Sequence, residues 1–115
     1  MANIYTNSKV DLTSTAETVV YTSQAAGTST TATTSIIKSI LVSEDSGNAD
    51  SITLTLTDTS SNVFSLFKTK AISSNQTVEL LSQPLIMQES EILKAQAATG
   101  NRLHMVISVL QINRD

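Results

Sequence analysis

The sequence contains no cysteine and no tryptophan, and it has only one histidine and one proline among its 115 residues. Without cysteine there is no disulfide framework, no thiolate nucleophile and no cysteine-ligated zinc or iron–sulfur centre. A chain of this length can bury roughly two-thirds of the surface that its unfolded form exposes, so it needs no covalent or metal staple. We therefore expect a single domain, residues 1–115, that folds without a cofactor.

Charged side chains are also scarce. They make up 15% of the chain, with seven Lys and Arg against ten Asp and Glu and a formal net charge of −3, whereas about 25% is usual. No basic cluster marks a phosphate-binding surface, and no apolar run approaches the roughly 20 residues of a membrane span. We therefore expect neither nucleic acid nor a membrane as a partner. Seventeen Ser and seventeen Thr take the place of the charges, which predicts a flat, uncharged surface that packs easily against a neighbour.

The clearest pattern lies in Asp50–Thr57, where apolar and hydroxyl side chains alternate. A period of two places alternate residues on opposite faces of a strand, and the β-branched Thr suits a pleated surface. The segment therefore predicts a strand with one face in the core and the other in solvent. The core face consists of Ile52, Leu54 and Leu56, and the solvent face of Ser51, Thr53, Thr55 and Thr57.

Similar strand signals recur about every ten residues along the chain. Turn-forming residues separate them, among them Gly47-Asn48 and Thr99–Asn101. The first turn predicts a hairpin between Ser35–Ser43 and Asp50–Thr57, and the second predicts a hairpin that leads into the closing strand, Arg102–Ile112. The spacing predicts an all-β fold: a single antiparallel β-sandwich, jelly-roll-like, of about eight strands.

Three segments leave a choice between structures. Ser90–Ala98 contains good helix formers, but it is short and lies between strand signals, so a strand is preferred to a helix there. The low-complexity segment Gln24–Thr34 forms either a loop, which we favour for its first half, or an edge strand. Residues 1–16 either belong to the sandwich or form an extended N-terminal arm.

Two predicted strands, Ile36–Val42 and Leu103–Ile112, are apolar on both faces. One face of a sheet in a two-layer sandwich normally meets water, so apolar side chains there indicate further burial. Either a loop or the N-terminal segment covers this outer face, or another subunit does. Alternation in the first strand places Ile36, Ile40 and Val42 on one face and Ile37 and Leu41 on the other. The candidate interface residues are Val106, Leu110, Ile112, Ile36 and Ile40.

Residue types that often carry catalysis are few and lack sequence partners. The lone His104 has no accompanying nucleophile motif such as G-x-S-x-G, so a structural or interface role is preferred. The acidic segment Glu44–Asp50 lacks the spacing of an EF-hand loop and is predicted to be a solvated turn. Glu89 and Glu91 lie two apart and would share one solvated face of a strand. We therefore expect no catalytic, cofactor-binding or metal site, and no enzyme.

The order of these features resembles that of a known class of proteins. Seven segments carry the resemblance, in chain order: Val20–Thr22, Ile36–Val42, Ser46–Asn48, Ile52–Leu56, Gln76–Leu81, Pro84–Ala97 and Ile107–Ile112. Together they are similar to the small β-sandwich virion proteins of tailed bacteriophages, including those of marine cyanophages and pelagic phages. The likeness runs through about Thr18 to Ile112 and is a pattern of strands and turns.

This resemblance implies a non-enzymatic structural protein of the virion, located on the tail, neck or baseplate. It would be present in symmetric copies, as a homo-oligomer that binds other virion proteins. A capsid decoration (cement) protein is the alternative within the same class. From another class, the alternative is a host-surface or carbohydrate-binding module, although two Tyr and two Phe offer little aromatic surface for stacking on a sugar.

Overall fold

The computed structural model describes residues 2–23 and 32–114. Within these ranges the chain forms nine β-strands and no helix, so no helix there is long and apolar enough to cross a membrane. The strands are β1 (Ala2–Leu12), β2 (Thr18–Thr22), β3 (Ala32–Glu44), β4 (Asp50–Thr57), β5 (Val63–Ile72), β6 (Thr77–Glu79), β7 (Leu85–Met87), β8 (Ile92–Ala97) and β9 (Leu103–Arg114).

The strands form two antiparallel sheets that pack face to face. The five-stranded sheet has the order β1-β9-β3-β6, with β7 also paired to β3, and the four-stranded sheet has the order β2-β8-β4-β5. β6 and β7 pair with different parts of β3, Leu41–Ser43 and Ser35–Ile37, so they share one position and the nine strands fill eight. This arrangement is a jelly roll. The predicted all-β, jelly-roll-like sandwich is confirmed.

Two of the predicted hairpins are instead crossings between the sheets. Residues 45–49 join β3 to β4, yet β3 pairs with β9 whereas β4 pairs with β5 and β8. In the same way, Thr99–Asn101 joins β8 of one sheet to β9 of the other. The hairpin predictions are therefore wrong, because turn residues indicate where a chain reverses but not which strands then pair.

The crossing between β8 and β9 packs tightly against the end of β1. The N–H of Asn101 donates to the carbonyl of Leu12 at 2.9 Å. A Cβ at Gly100 would lie 2.6 Å from the carbonyl oxygen of Thr13, so this position requires glycine. The contact ties the closing strand to the first one at this end of the sandwich.

The structure decides between the alternatives for two of the three segments that the sequence left open. Ile92–Ala97 forms strand β8, so the helix considered for Ser90–Ala98 is wrong. Ala2–Leu12, from the segment considered as an arm, pairs with β9 along its whole length as an edge strand. Residues 24–31, most of the low-complexity segment, lie outside the described residues, and β3 begins at Ala32.

The core lies between the two sheets and consists of aliphatic side chains from their inner faces. Ile52 and Leu54 of β4 are fully buried, and Leu56 packs against the same cluster, which confirms the predicted inner face of that strand. From the other sheet, β9 supplies four consecutive inward residues: Leu103, Met105, Ile107 and Val109.

A bulge at Lys38 reverses the alternation of β3. The register with β9 shifts between Ile37 and Ser39, so Ile37 and Ile40 both point into the core and are fully buried. The prediction that Ile36 and Ile40 share a face is therefore wrong: Ile40 is a core residue, and Leu41 faces outward instead. A bulge sets two residues opposite one, and strict period-two alternation cannot reveal it.

Two of the four residues on the hydroxyl face of β4 are buried. Thr55 and Thr57 are only 8% and 9% exposed, so the prediction of a solvated face is wrong at these two positions. β4 lies between β5 and β8, and the larger side chains of Lys94 and Ile92 are their cross-strand neighbours on β8. The two Thr hydroxyls have no hydrogen-bond partner among the residues that the structure describes.

Replacing Thr55 with valine should therefore stabilise the protein. Valine has nearly the same shape, and the substitution removes a buried hydroxyl that gives up its hydrogen bonds to water on folding. We expect the free energy of unfolding to rise by about 1 kcal/mol in urea denaturation. The control is Thr77→Val, at an exposed position of β6, which should change stability by less than about 0.5 kcal/mol. Destabilisation by Thr55→Val would contradict the assignment of an unsatisfied hydroxyl.

Candidate functional site

The outer side of the five-stranded sheet carries a row of four apolar side chains. Tyr5, Leu110, Ile36 and Ile86 are successive cross-strand neighbours on β1, β9, β3 and β7. The residues at the ends of the row are well exposed, Tyr5 at 76% and Ile86 at 61%, whereas the two central ones are half-buried. The row therefore presents an apolar strip across the full width of the sheet.

A second row lies four residues earlier on β9 and is apolar only at its centre. Val106 and Leu41 face each other across β9 and β3, each a little over one-third exposed. Lys9 on β1 and Glu79 on β6 flank this pair. The two rows, together with Ile112 two residues beyond Leu110 on β9, form a surface that we call the outer apolar face. Its members are Tyr5, Ile36, Leu41, Ile86, Val106, Leu110 and Ile112.

The outer apolar face contains four of the five candidate interface residues. Val106, Leu110, Ile112 and Ile36 lie on it, and Ile40 does not, because of the bulge in β3. The alternative that the N-terminal segment covers this face is wrong for Ala2–Leu12, since β1 lies beside β9 in the plane of the sheet. The sequence reasoning missed Tyr5 and Ile86 because both come from short or weakly patterned segments, whose outward direction follows only from their pairing.

The carboxylate of Glu79 is fixed at the margin of this face. It accepts hydrogen bonds from the hydroxyl of Ser39 and from the N–H groups of Ile40, at 2.7 Å, and Leu81, at 3.2 Å. Partial burial raises the pKa of Glu79, but these three hydrogen bonds lower it further than burial raises it, so the pKa lies below its ordinary value. Glu79 therefore presents a fixed negative charge at neutral pH, opposite Lys9 at the other edge of the sheet.

Between the two rows lies a shallow depression of about 410 Å³. Small polar side chains produce it, since Asn7 and Ser108 are cross-strand neighbours there. Tyr5 and Lys38 also line it. The outer apolar face is therefore concave at this point, and a neighbouring molecule can fill the depression.

The single histidine is held between two carboxylates at one end of the same sheet. Its Nδ1 bonds Asp11 on β1, and its Nε2 lies 3.0 Å from Oδ1 of Asp45, just after β3. The hydrogen bond to Asp11 raises the pKa of His104; partial burial opposes this effect, and the charge of Asp45 adds to it. The cluster links β1, β9 and the start of the β3–β4 crossing.

This geometry is unsuited to general-base catalysis by His104. When both ring nitrogens donate to carboxylates, the imidazole is an imidazolium without a lone pair to accept a proton. Ser43 is its cross-strand neighbour on β3, yet neither ring nitrogen is available to activate that hydroxyl. Within residues 2–23 and 32–114, no group of three or more His, Cys, Asp and Glu side chains is placed to hold a metal ion.

The histidine cluster should stabilise the fold below neutral pH. Because the folded-state pKa of His104 is raised above 6.5, its contribution is complete below pH 6.5 and is lost as the pH rises through the folded-state pKa. His104→Gln should remove that part of the pH dependence of the unfolding midpoint. Since the side chain is 40% exposed, the effect should not exceed about 1 kcal/mol. An unchanged pH profile in the variant would contradict this assignment.

Glu44 occupies the crossing from β3 to β4, and it is 1% exposed, so the prediction that Glu44–Asp50 is a solvated turn is wrong at its first residue. One carboxylate oxygen accepts from the N–H and hydroxyl of Ser46, and the other from the N–H groups of Gly47 and Asn75, both at 3.1 Å. Burial raises the pKa of Glu44, but these hydrogen bonds outweigh it and lower the pKa to about 2. The sequence carried one signal for this: Glu44 is in phase with the core residues Ile40 and Val42.

A buried polar network closes the opposite end of the core. Gln111 donates to the Tyr21 hydroxyl at 2.9 Å, and that hydroxyl shares a hydrogen bond of 2.8 Å with Oγ of Ser35. Ser35 also shares a hydrogen bond of 3.0 Å with Ser23, and both serines are fully buried. Each side chain in this chain of contacts has a partner, which makes it a structural link between β2, β3 and β9.

Comparisons with known proteins add no family to these observations. No protein-family model matches the chain, and no curated protein matches its sequence.

Proposed function

We propose that this chain is a non-enzymatic structural protein of a tailed-bacteriophage virion, located on the tail, neck or baseplate, where symmetric copies bind other virion proteins. The observation that carries the proposal is the outer apolar face, since contiguous exposed apolar surface marks sites of protein–protein contact. Two further points support it. The jelly roll is a common architecture of viral capsid proteins, and the order of strands and turns resembles that of small phage virion proteins.

The side chains of the outer apolar face suit an association that is stabilised by burying apolar surface. The two central residues of each row are aliphatic, and Tyr5 and Ile86 project from the two edges of the sheet. Lys9 and Glu79 lie at the margins, and Lys38 lines the depression between the rows. Association through such a surface is stabilised by removing apolar area from water. Each contact can be weak, because symmetric repetition engages several contacts at once and raises the overall affinity.

The arrangement of ionisable groups favours a structural role over catalysis. His104 is occupied at both nitrogens, and Glu44 is surrounded by hydrogen-bond donors from two chain segments. Both groups connect strands or turns within the fold. The outer apolar face is thus the surface best suited to act on other molecules.

Particles of the phage that encodes this chain provide the direct test. Mass spectrometry of purified particles should find the chain in many copies, and density from cryo-electron microscopy should place it on the tail, neck or baseplate. Location on the capsid lattice would favour the decoration protein. Absence from the particles, together with tight glycan binding by the isolated protein, would favour the carbohydrate-binding module.

Binding to the particle should be disrupted by a charge on the outer apolar face and should depend little on salt. Val106→Asp places a carboxylate at the centre of the face, where its burial against a partner is costly, so co-sedimentation with particles should fall at least about tenfold. Wild-type binding should be similar at about 0.05 and 0.5 M salt, since screening acts mainly on exposed charge pairs.

The matched control is Val63→Asp, at a 60% exposed valine on the edge strand β5 of the other sheet. It adds the same charge outside the outer apolar face and should leave binding unchanged. Equal losses from the two variants, or strong weakening of wild-type binding by salt, would contradict association through this face.

A further inference from the structure

We infer that the outer apolar face binds a second copy of this chain, with the two copies related by a two-fold axis parallel to the strands. The inference rests on the proposed function in taking this face as an assembly surface. It adds that the partner on this face is a second copy, so that the dimer is the unit that binds the particle, and it adds the arrangement of the two copies. The axis would lie between β9 and β3, the two central strands of the five-stranded sheet.

Rotation about such an axis places the first apolar row of one copy over the same row of the other copy. Rotation about it exchanges the two edges of the sheet and keeps each residue at its height along the strands. Tyr5 at the β1 edge then meets Ile86 of the second copy at its β7 edge, and Leu110 meets Ile36 of the second copy. Each pair occurs twice, as a two-fold interface requires.

The charges at the margins are complementary under the same rotation. Lys9 and Glu79 lie at opposite ends of the second row, so Lys9 of each copy faces Glu79 of the other. A two-fold axis across the strands would instead set Tyr5 over Lys9 and Ile86 over Glu79, which buries charge against apolar side chains. Charge complementarity therefore selects the axis parallel to the strands.

The area is sufficient for a weak dimer. With four strands about 4.8 Å apart and about 3.3 Å per residue from Val106 to Ile112, the face covers roughly 450 Å² on each copy. A total of about 900 Å² lies in the range of weak, transient interfaces, so we expect a dimer whose population depends on protein concentration.

The absence of cysteine allows a sharp test of the arrangement. Tyr5→Cys and Ile86→Cys are single substitutions at exposed positions, and they introduce the only thiols in the chain. Mixed under mild oxidation, the two variants should form a disulfide-linked heterodimer. Neither variant alone should cross-link to itself efficiently, because the two copies of each position lie at opposite edges of the interface.

Sedimentation equilibrium measures the dissociation constant of the dimer. Lys9→Glu places a carboxylate opposite Glu79 at both ends of the row and should weaken dimerisation at least about tenfold. Lys70→Glu makes the same charge change on β5 of the other sheet and should leave it unchanged. Circular dichroism and the melting temperature confirm that each variant is folded.

A wild-type protein that remains monomeric at several hundred micromolar would overturn the inference. So would a dimer in which Tyr5→Cys cross-links to itself as readily as to Ile86→Cys. Neither result bears on whether the chain is present in virions, which the particle analysis decides separately.

Discussion

Replacing Ile107 with alanine should lower the free energy of unfolding by about 2–5 kcal/mol. Ile107 is fully buried on β9, between Ser8 of β1 and Ile40 of β3. Truncation removes three carbons from a core in which neighbouring strands are fixed by their ladders, so the cavity cannot close. Urea denaturation with unchanged dependence on denaturant concentration would report this loss directly.

The control is Val106→Ala, one residue earlier on the same strand. Val106 faces outward and is 37% exposed, so its truncation in dilute, monomeric protein should cost less than about 1 kcal/mol. In the other sheet, Leu54→Ala should resemble Ile107→Ala, because Leu54 is also fully buried. Equal losses from Val106→Ala and Ile107→Ala would show that the assignment of the inner and outer faces of β9 is incorrect.

Replacing Glu44 with glutamine should destabilise the protein strongly at neutral pH. The carboxylate accepts from four donors, two on each oxygen. An amide turns one oxygen into a donor, which leaves buried N–H or O–H groups without an acceptor. Because those donors belong to the β3–β4 crossing and the β5–β6 loop, both segments should loosen. Amide hydrogen exchange at Gly47 and Asn75 should accelerate in the variant.

The Glu44 carboxylate also makes the free energy of unfolding of the wild-type protein depend on pH in the acidic range. The pKa of Glu44 is lowered from 4.5 to about 2 by folding, so the unfolded chain binds the proton more tightly. Its contribution is therefore complete above about pH 5 and is lost as the pH falls from about 4.5 towards 2. Asp58 and Glu79 also have lowered pKa values and act in the same direction.

Glu44→Gln should accordingly lose stability less steeply than the wild type over that pH range. Glu17→Gln is the control, since Glu17 is exposed and forms only a long ion pair with Lys94, at 3.8 Å. It should leave the free energy of unfolding at neutral pH nearly unchanged. If Glu44→Gln matched the wild type in both neutral stability and acid profile, the carboxylate would not be the acceptor that holds these two segments together.

The sequence by itself determined the fold class and the positions of most strands. Period-two alternation and turn residues act over a few positions, so they are readable without knowing the partners. Ile52 and Leu54 were correctly placed in the core, and the two apolar faces of Leu103–Ile112 are both present in β9. The jelly-roll-like sandwich followed from the number and spacing of such segments.

Tertiary structure decided how those strands pair and which side chains they bring together. The turn before β4 sends the chain to the other sheet, and the bulge at Lys38 moves Ile40 into the core and Leu41 outward. The burial of Glu44 depends on Asn75, 31 positions away, and the contacts of His104 with Asp11 and Asp45 span 93 and 59 positions. Such contacts form only when the whole sandwich closes, because local alternation specifies which residues share a face of a strand but not which strand lies beside it.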